Sequence, residues 1–92
     1  IVVDDGSTDG TYKLLQNLKE KINILKVYRN VVKSKGLNVN FGAKYATSEV
    51  IGVIDADTFV EPNIFNKMIP YFQNKKVGSV IATVVPKNLN NF

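Results

Sequence analysis

Residues 1–11 read IVVDDGSTDGT: a short apolar run, two adjacent carboxylates, a glycine, then small hydroxyl and acidic side chains. Ile1 to Val3 is continuous apolar chain of strand length, ended by acid and glycine, and reads as a buried strand. Gly6 allows a sharp turn after it. Ser7, Thr8 and Asp9 are helix-opening residue types, because their side-chain oxygens accept the orphan N–H groups of a first turn. Leu14, Leu15, Leu18 and Ile22 then recur at helical spacing, so a helix is expected from Thr8 to about Lys21. Taken alone, the acidic pair is explained as a cap. Alternatively, a carboxylate at a strand end can accept hydrogen bonds from a base or a ribose.

The same pattern continues outward. INILKVYR, residues 22–29, alternates apolar and polar side chains and reads as a second strand with one more exposed face. NVVKSKGLN, from Asn30, reads as a loop, and Leu37 to Thr47 as a weak helix containing Gly42. EVIGVIDAD, residues 49–57, reads as a fully buried strand ending in acid. Glu61-Pro62 looks like a helix start, with Ile64, Phe65, Met68, Ile69 and Phe72 forming an apolar stripe. Pro70 lacks an N–H and crowds the carbonyl of Asn66, so a kink or an early end is expected there. VGSVIATVV, from Val77, reads as a last strand, closed by Pro86 and an asparagine-rich tail. Strands alternating with helices argue for an α/β fold with a mostly parallel sheet and flanking helices. Ligands of such sheets gather beyond the carboxyl ends of the strands. Asp4-Asp5 and Asp55-Ala56-Asp57 both fall at such ends, so one site is expected to collect all four carboxylates.

Composition narrows the chemistry. Ninety-two residues make at most one small domain, and 45% hydrophobic with 22% charged residues is ordinary for a globular protein. The net charge of +4 comes from scattered lysines, which form no nucleic-acid stripe. There is no cysteine, so disulfides and thiolate zinc sites are excluded. There is no histidine, so a Ser-His-Asp triad, a histidine base and imidazole ligation are excluded within the chain. Any metal must therefore be bound by oxygen, which favours magnesium, manganese or calcium. No apolar run reaches the roughly 18 residues of a membrane span.

Asp55 and Asp57 are two residues apart beyond a strand, and alternation points both to one side. Two carboxylates on one side can share a hard cation and leave coordination positions for phosphate oxygens. That is suitable chemistry for binding a nucleoside diphosphate. The simpler reading is that one of them caps the turn before TFVEP.

Together, IVVDDGSTDGT and SKGLNVNFGAKYATSEVIGVIDADTFVEP resemble the nucleotide-binding half of family 2 glycosyltransferases, which have the GT-A (Rossmann-like) fold. The DDGS-type turn, the Lys-Gly stretch leading to N-x-G, the Ala-Thr-Ser-Glu lead-in and the D-x-D appear in family order over residues 1 to about 85. The resemblance implies that Asp5 binds the base of a sugar nucleotide, with Asp4 supporting base or ribose. It places Lys35 near base and phosphates, although surface charge would also explain that lysine. Asn40 and Gly42 match N-x-G, and Gly42 is expected to serve helix–sheet packing. Asp55 would face ribose and metal, and Asp57 would be the main ligand of Mn2+ or Mg2+ bridging the diphosphate. Thr58 gains no role. Ser34 and Ser48 stand where many members have glycine; both are small.

The implied activity is inverting transfer from a nucleotide-diphosphate sugar, a UDP-sugar foremost, in the full-length protein. Residues 1–92 read as a partial nucleotide-sugar-binding domain, truncated at both ends. The family's first strand is absent before Ile1, and the acceptor half with its catalytic carboxylate is absent after Phe92. Glu20, Glu49 and Glu61 do not sit in the matching context, so no catalytic residue is assigned within the chain. Expected partners are the sugar nucleotide and, through an exposed sheet edge, a second copy; a monomer independent of concentration in sedimentation would count against the latter. A cytoplasmic location is expected, with membrane association reserved for the full-length protein. The rival classes are a receiver-like phosphoacceptor domain using Asp4, Asp5 and Asp55, and a non-catalytic fragment that self-associates. A receiver leaves Asp57 without a role and does not continue as GSTDGT. A D-x-D-x-T phosphatase is disfavoured because Thr58 comes one place too early.

Overall fold

The computed structural model describes residues 1–85, so the expectation for Pro86 and the tail lies outside the described residues. The chain divides into two compact units, Ile1–Ile54 and Asp55–Phe92.

In the first unit the order is β1 (Val2–Asp4), α1 (Thr11–Lys21), β2 (Val27–Arg29) and α2 (Lys35–Ala43). The two strands pair in parallel, with Val2 opposite Val27, Val3 opposite Tyr28 and Asp4 opposite Arg29. This is the expected parallel α/β arrangement, with α1 as the crossover packed on β2 and α2 packed on β1. Val27 is the buried apolar residue of the sheet. The next residue of the strand, Tyr28, stacks on Tyr45 at 3.9 Å between ring centroids, and Phe41 meets both rings edge-on. Phe41 of α2 and Tyr45 just beyond that helix thereby pack on the Tyr28 side chain of β2.

Several boundaries differ from expectation. Helix α1 begins three residues later than Thr8, because Gly10 takes a left-handed φ of 87° as the N-cap. Asp9 supplies the side-chain acceptor there, receiving the Thr11 N–H at 3.1 Å and the Thr11 hydroxyl at 2.6 Å. The inward face of α1 carries Tyr12, Leu15 and Leu18, all half-buried, whereas Leu14 and Ile22 are exposed. Its last turn holds Lys19 and Lys21, whose charges suit the carbonyl end of a helix. The second strand is shorter than residues 22–29, since Leu25 N–H donates to the Ile22 carbonyl and turns the chain before Val27. The expected loop from Asn30 ends early, at Ser34. The Ser34 hydroxyl accepts the Leu37 N–H at 3.5 Å and its carbonyl accepts Asn38 N–H at 3.0 Å, so α2 starts at Lys35. Gly42 is buried, and a Cβ there would lie 3.1 Å from Val3 Cγ2; the expected helix–sheet packing role is what the geometry requires.

Residues 49–57 and 77–85 were expected to be strands and are not. Ile51, Val53, Ile54, Ile81, Val84 and Val85 are exposed rather than buried. Apolar continuity creates the need for cover but names no ladder partner, and without a partner the backbone forms no strand. In the second unit, α3 (Ile64–Met68) gives way at Ile69 to a 3-10 helix that runs to Gln73 and contains Pro70. The early end expected at Pro70 therefore occurs, as a tightening to three-residue turns. Helix α3 also starts later than Glu61-Pro62, with Asn63 as its N-cap.

The turn after β1 depends on Gly6. Its φ is +77°, and a Cβ there would lie 2.9 Å from Val31 Cγ1. Gly6→Ala is expected to destabilise the fold by about 1–3 kcal/mol, because strain and overlap both act. Thermal denaturation checks this, and adding Val31→Ala should recover the overlap part but not the strain.

Candidate functional site

The carboxyl ends of β1 and β2 bring one group of expected residues together. Asp4 ends β1 with its side chain only 1% exposed. Both of its oxygens accept the Ser7 N–H, at 3.3 and 3.2 Å, which folds residues 4–7 into a turn. Arg29, opposite in register, closes the other side, with Nε 3.6 Å from Asp4 Oδ2 and Nη2 donating to the Ser7 carbonyl at 3.2 Å. The Arg29 guanidinium also lies over the Tyr12 ring, 5.1 Å from its centroid. Asp4 is thus engaged inside the turn that it shapes.

Asp5 has other partners. Its Oδ1 accepts the backbone N–H of Val32 at 2.9 Å and of Lys33 at 2.7 Å. Lys33 has a left-handed φ of 49°, an unusual state for a side chain with a Cβ, and the carboxylate bridges that kink. The Lys33 N–H holds the Asp5 carboxyl below its ordinary value, helped by the Val32 N–H, the Asn38 amide and the Ser34 N–H against the opposing effect of desolvation. Asp5 is therefore an ionised acceptor at the mouth of the sheet. Asn38 in turn accepts a hydrogen bond from the Asn30 amide at 2.9 Å, which joins the loop to α2. Lys35 is the first residue of α2, exposed, just beyond this loop. Asn40 is exposed on α2.

Asp55 and Asp57 belong to the second unit, at its head. They occupy one turn, closed by Thr58 N–H donating to the Asp55 carbonyl at 3.0 Å, and both are exposed. The turn reading of this motif is therefore present in the backbone, and it leaves the carboxylates at the surface. Among the described residues no group of three or more acidic side chains is placed to hold a metal ion. Also among them, no helix is long and apolar enough to cross a membrane.

Arg29 and Tyr12 were missed in the sequence. The signal existed: parallel strands of one crossover unit end together, so an acid ending the first and a base ending the second are placed to pair.

A family profile described as "Glycosyl transferase family 2" matches residues 1–92. Among curated proteins, the chain is 34% identical over 82 residues to the beta-monoglucosyldiacylglycerol synthase of Nostoc sp. (strain PCC 7120), covering 86% of this chain and 18% of that one. It is 32% identical over 87 residues to the protein of the same name in Synechocystis sp. (strain PCC 6803), with 86% and 17% covered. It is 32% identical over 81 residues to the poly-beta-1,6-N-acetyl-D-glucosamine synthase of Staphylococcus aureus (strain COL), with 87% and 20% covered. The chain thus spans about a fifth of the length of these relatives. No solved structure matched the chain at a significant level.

Proposed function

Because the chain belongs to glycosyl transferase family 2, we propose that the intact protein transfers a sugar, with inversion, from a nucleoside diphosphate sugar, with a UDP-sugar as the donor. The observation that carries this reading is Asp5, held ionised at the carboxyl end of β1 by the Val32 and Lys33 N–H groups. An ionised carboxylate accepts hydrogen bonds only, which suits a base edge that presents an N–H. Asp4 supports that contact through the turn, and Lys35 offers its charge to the phosphates.

Asp55 and Asp57 fit a divalent cation: two surface oxygen donors on one turn, in a chain without histidine or cysteine, favour Mn2+ or Mg2+ and leave positions for diphosphate oxygens. A cation bound there supplies charge neutralisation of the leaving diphosphate. In the transfer, an acceptor hydroxyl oxygen bonds to the anomeric carbon as the bond from that carbon to the diphosphate oxygen breaks. The hydroxyl proton goes to a base, and none of the residues named here is assigned that role. A cytoplasmic site of action is part of the same proposal. The receiver reading, which needed Asp55 as phosphoacceptor, is set aside by the family match.

Calorimetric titration of the intact protein with UDP, with and without manganese, tests the reading. Binding strengthened by the metal is expected. Absence of binding under both conditions would sink the donor assignment while leaving family membership intact.

A further inference from the structure

We infer that Arg29 is a positioning residue of the nucleotide site: by bridging the Asp4 carboxylate and the Ser7 carbonyl it fixes the turn that presents Asp5. The inference rests on the reading of Asp5 given above. Arg29 touches three consecutive segments at once. Its Nε faces Asp4 at the end of β1, its Nη2 holds the Ser7 carbonyl in the turn, and its guanidinium covers Tyr12 in the first turn of α1. Asp5 and Gly6 are the two residues spanned between Asp4 and Ser7. Both ends of that span are tied, by the Ser7 N–H on one side and by Arg29 on the other.

The charge is needed as well as the shape. The Asp4 side chain is 1% exposed, and a buried carboxylate without a cationic neighbour is costly. Arg29, at 39%, keeps its outer face to solvent while neutralising that acid. A lysine supplies the charge but not the planar fork that reaches a carboxylate and a carbonyl together. Beside Arg29, the Asn30 N–H donates to the Asp4 carbonyl at 3.0 Å, which starts the 30–33 loop in register with the turn. Val31 lies against Gly6, and Val32 and Lys33 then reach Asp5. Loosening Arg29 therefore acts on Asp5 from both the turn and the loop.

The test uses Arg29→Gln and Arg29→Lys in the intact protein, with two readouts. Amide hydrogen exchange is followed at Ser7, Val32 and Lys33, with Val2 as the reference, since its N–H donates to Lys26 at the far end of the sheet. UDP affinity is followed by calorimetry. In Arg29→Gln, exchange at Ser7, Val32 and Lys33 should rise about tenfold while Val2 is unchanged, and the Kd for UDP should rise about tenfold. Arg29→Lys should fall between, at about threefold. Unchanged exchange at the three amides overturns the inference. So does a uniform loss that includes Val2, which would mark a purely structural role, and so does an unchanged Kd in a wild type that binds UDP. If the wild type binds no UDP, the donor assignment fails, and the exchange pattern alone still decides whether Arg29 sets Asp5.

Discussion

Asp57→Ala in the intact protein is expected to lower metal-stimulated sugar transfer by about a thousandfold, the loss that follows when a cation can no longer neutralise a leaving diphosphate. Asp57 is exposed on the turn closed by Thr58 N–H and the Asp55 carbonyl, and that closure uses backbone atoms only. Removing the side chain should therefore leave the fold alone, with thermal stability within about 0.5 kcal/mol of wild type. The two measurements separate the roles. Lost activity with unchanged melting and unchanged metal-free UDP affinity marks a cation ligand. Unchanged manganese dependence in the variant would refute the assignment of Asp57. Asp57→Asn, which keeps the shape but halves the oxygen donors and removes the charge, should behave almost as Asp57→Ala does.

Replacing Asp5 should damage two things together. Asp5→Ala removes the proposed base contact and also frees the Val32 and Lys33 N–H groups, so the Kd for UDP is expected to rise on the order of a hundredfold. A proton competition follows from the same hydrogen bonds. The folded-state pKa of Asp5 lies below its ordinary value of 3.8, chiefly because Lys33 N–H favours the ionised form. A lowered folded value means that Asp5 contributes stability above pH of about 4, and that this contribution is lost as pH falls through the folded value. Asp9, held down by the Thr11 hydroxyl and N–H, and Glu61, held down by Lys67, act in the same direction. Asp5→Asn should therefore flatten the acid limb of a stability–pH curve without abolishing it. An acid limb identical to wild type would show that Asp5 does not carry the loop.

The parts of this protein that were legible in advance are local or periodic. The apolar run ending at Asp4, the helical spacing after Gly10 and the proline at position 70 each act within a few residues, and each is found near its expected place. The D-x-D, read as the acidic end of a strand with a turn as the simpler alternative, is a turn, so strand alternation does not orient Asp55 and Asp57. The expected strands at 49–57 and 77–85 failed for the opposite reason. Val53, Ile54, Ile81 and Val84 announce apolar surface, but a strand exists only when a second backbone completes its hydrogen bonds. Helix α2 also starts earlier than the loop-like composition of residues 30–38 implies, because the Ser34 hydroxyl caps it.

The sequence by itself determined the class of the fold and the family. Without cysteine or histidine, it also restricted any metal to oxygen ligands. Only tertiary structure decided the partners of the two adjacent aspartates. Asp4 turns inward to the Ser7 N–H and Arg29, and Asp5 turns to the Val32 and Lys33 N–H groups. Their partners other than Ser7 lie more than twenty residues away along the chain, reached only because β1 and β2 pair in parallel with Asp4 opposite Arg29. Neighbours in sequence share composition, but which carboxylate braces the fold and which faces outward depends on what the register sets beside each.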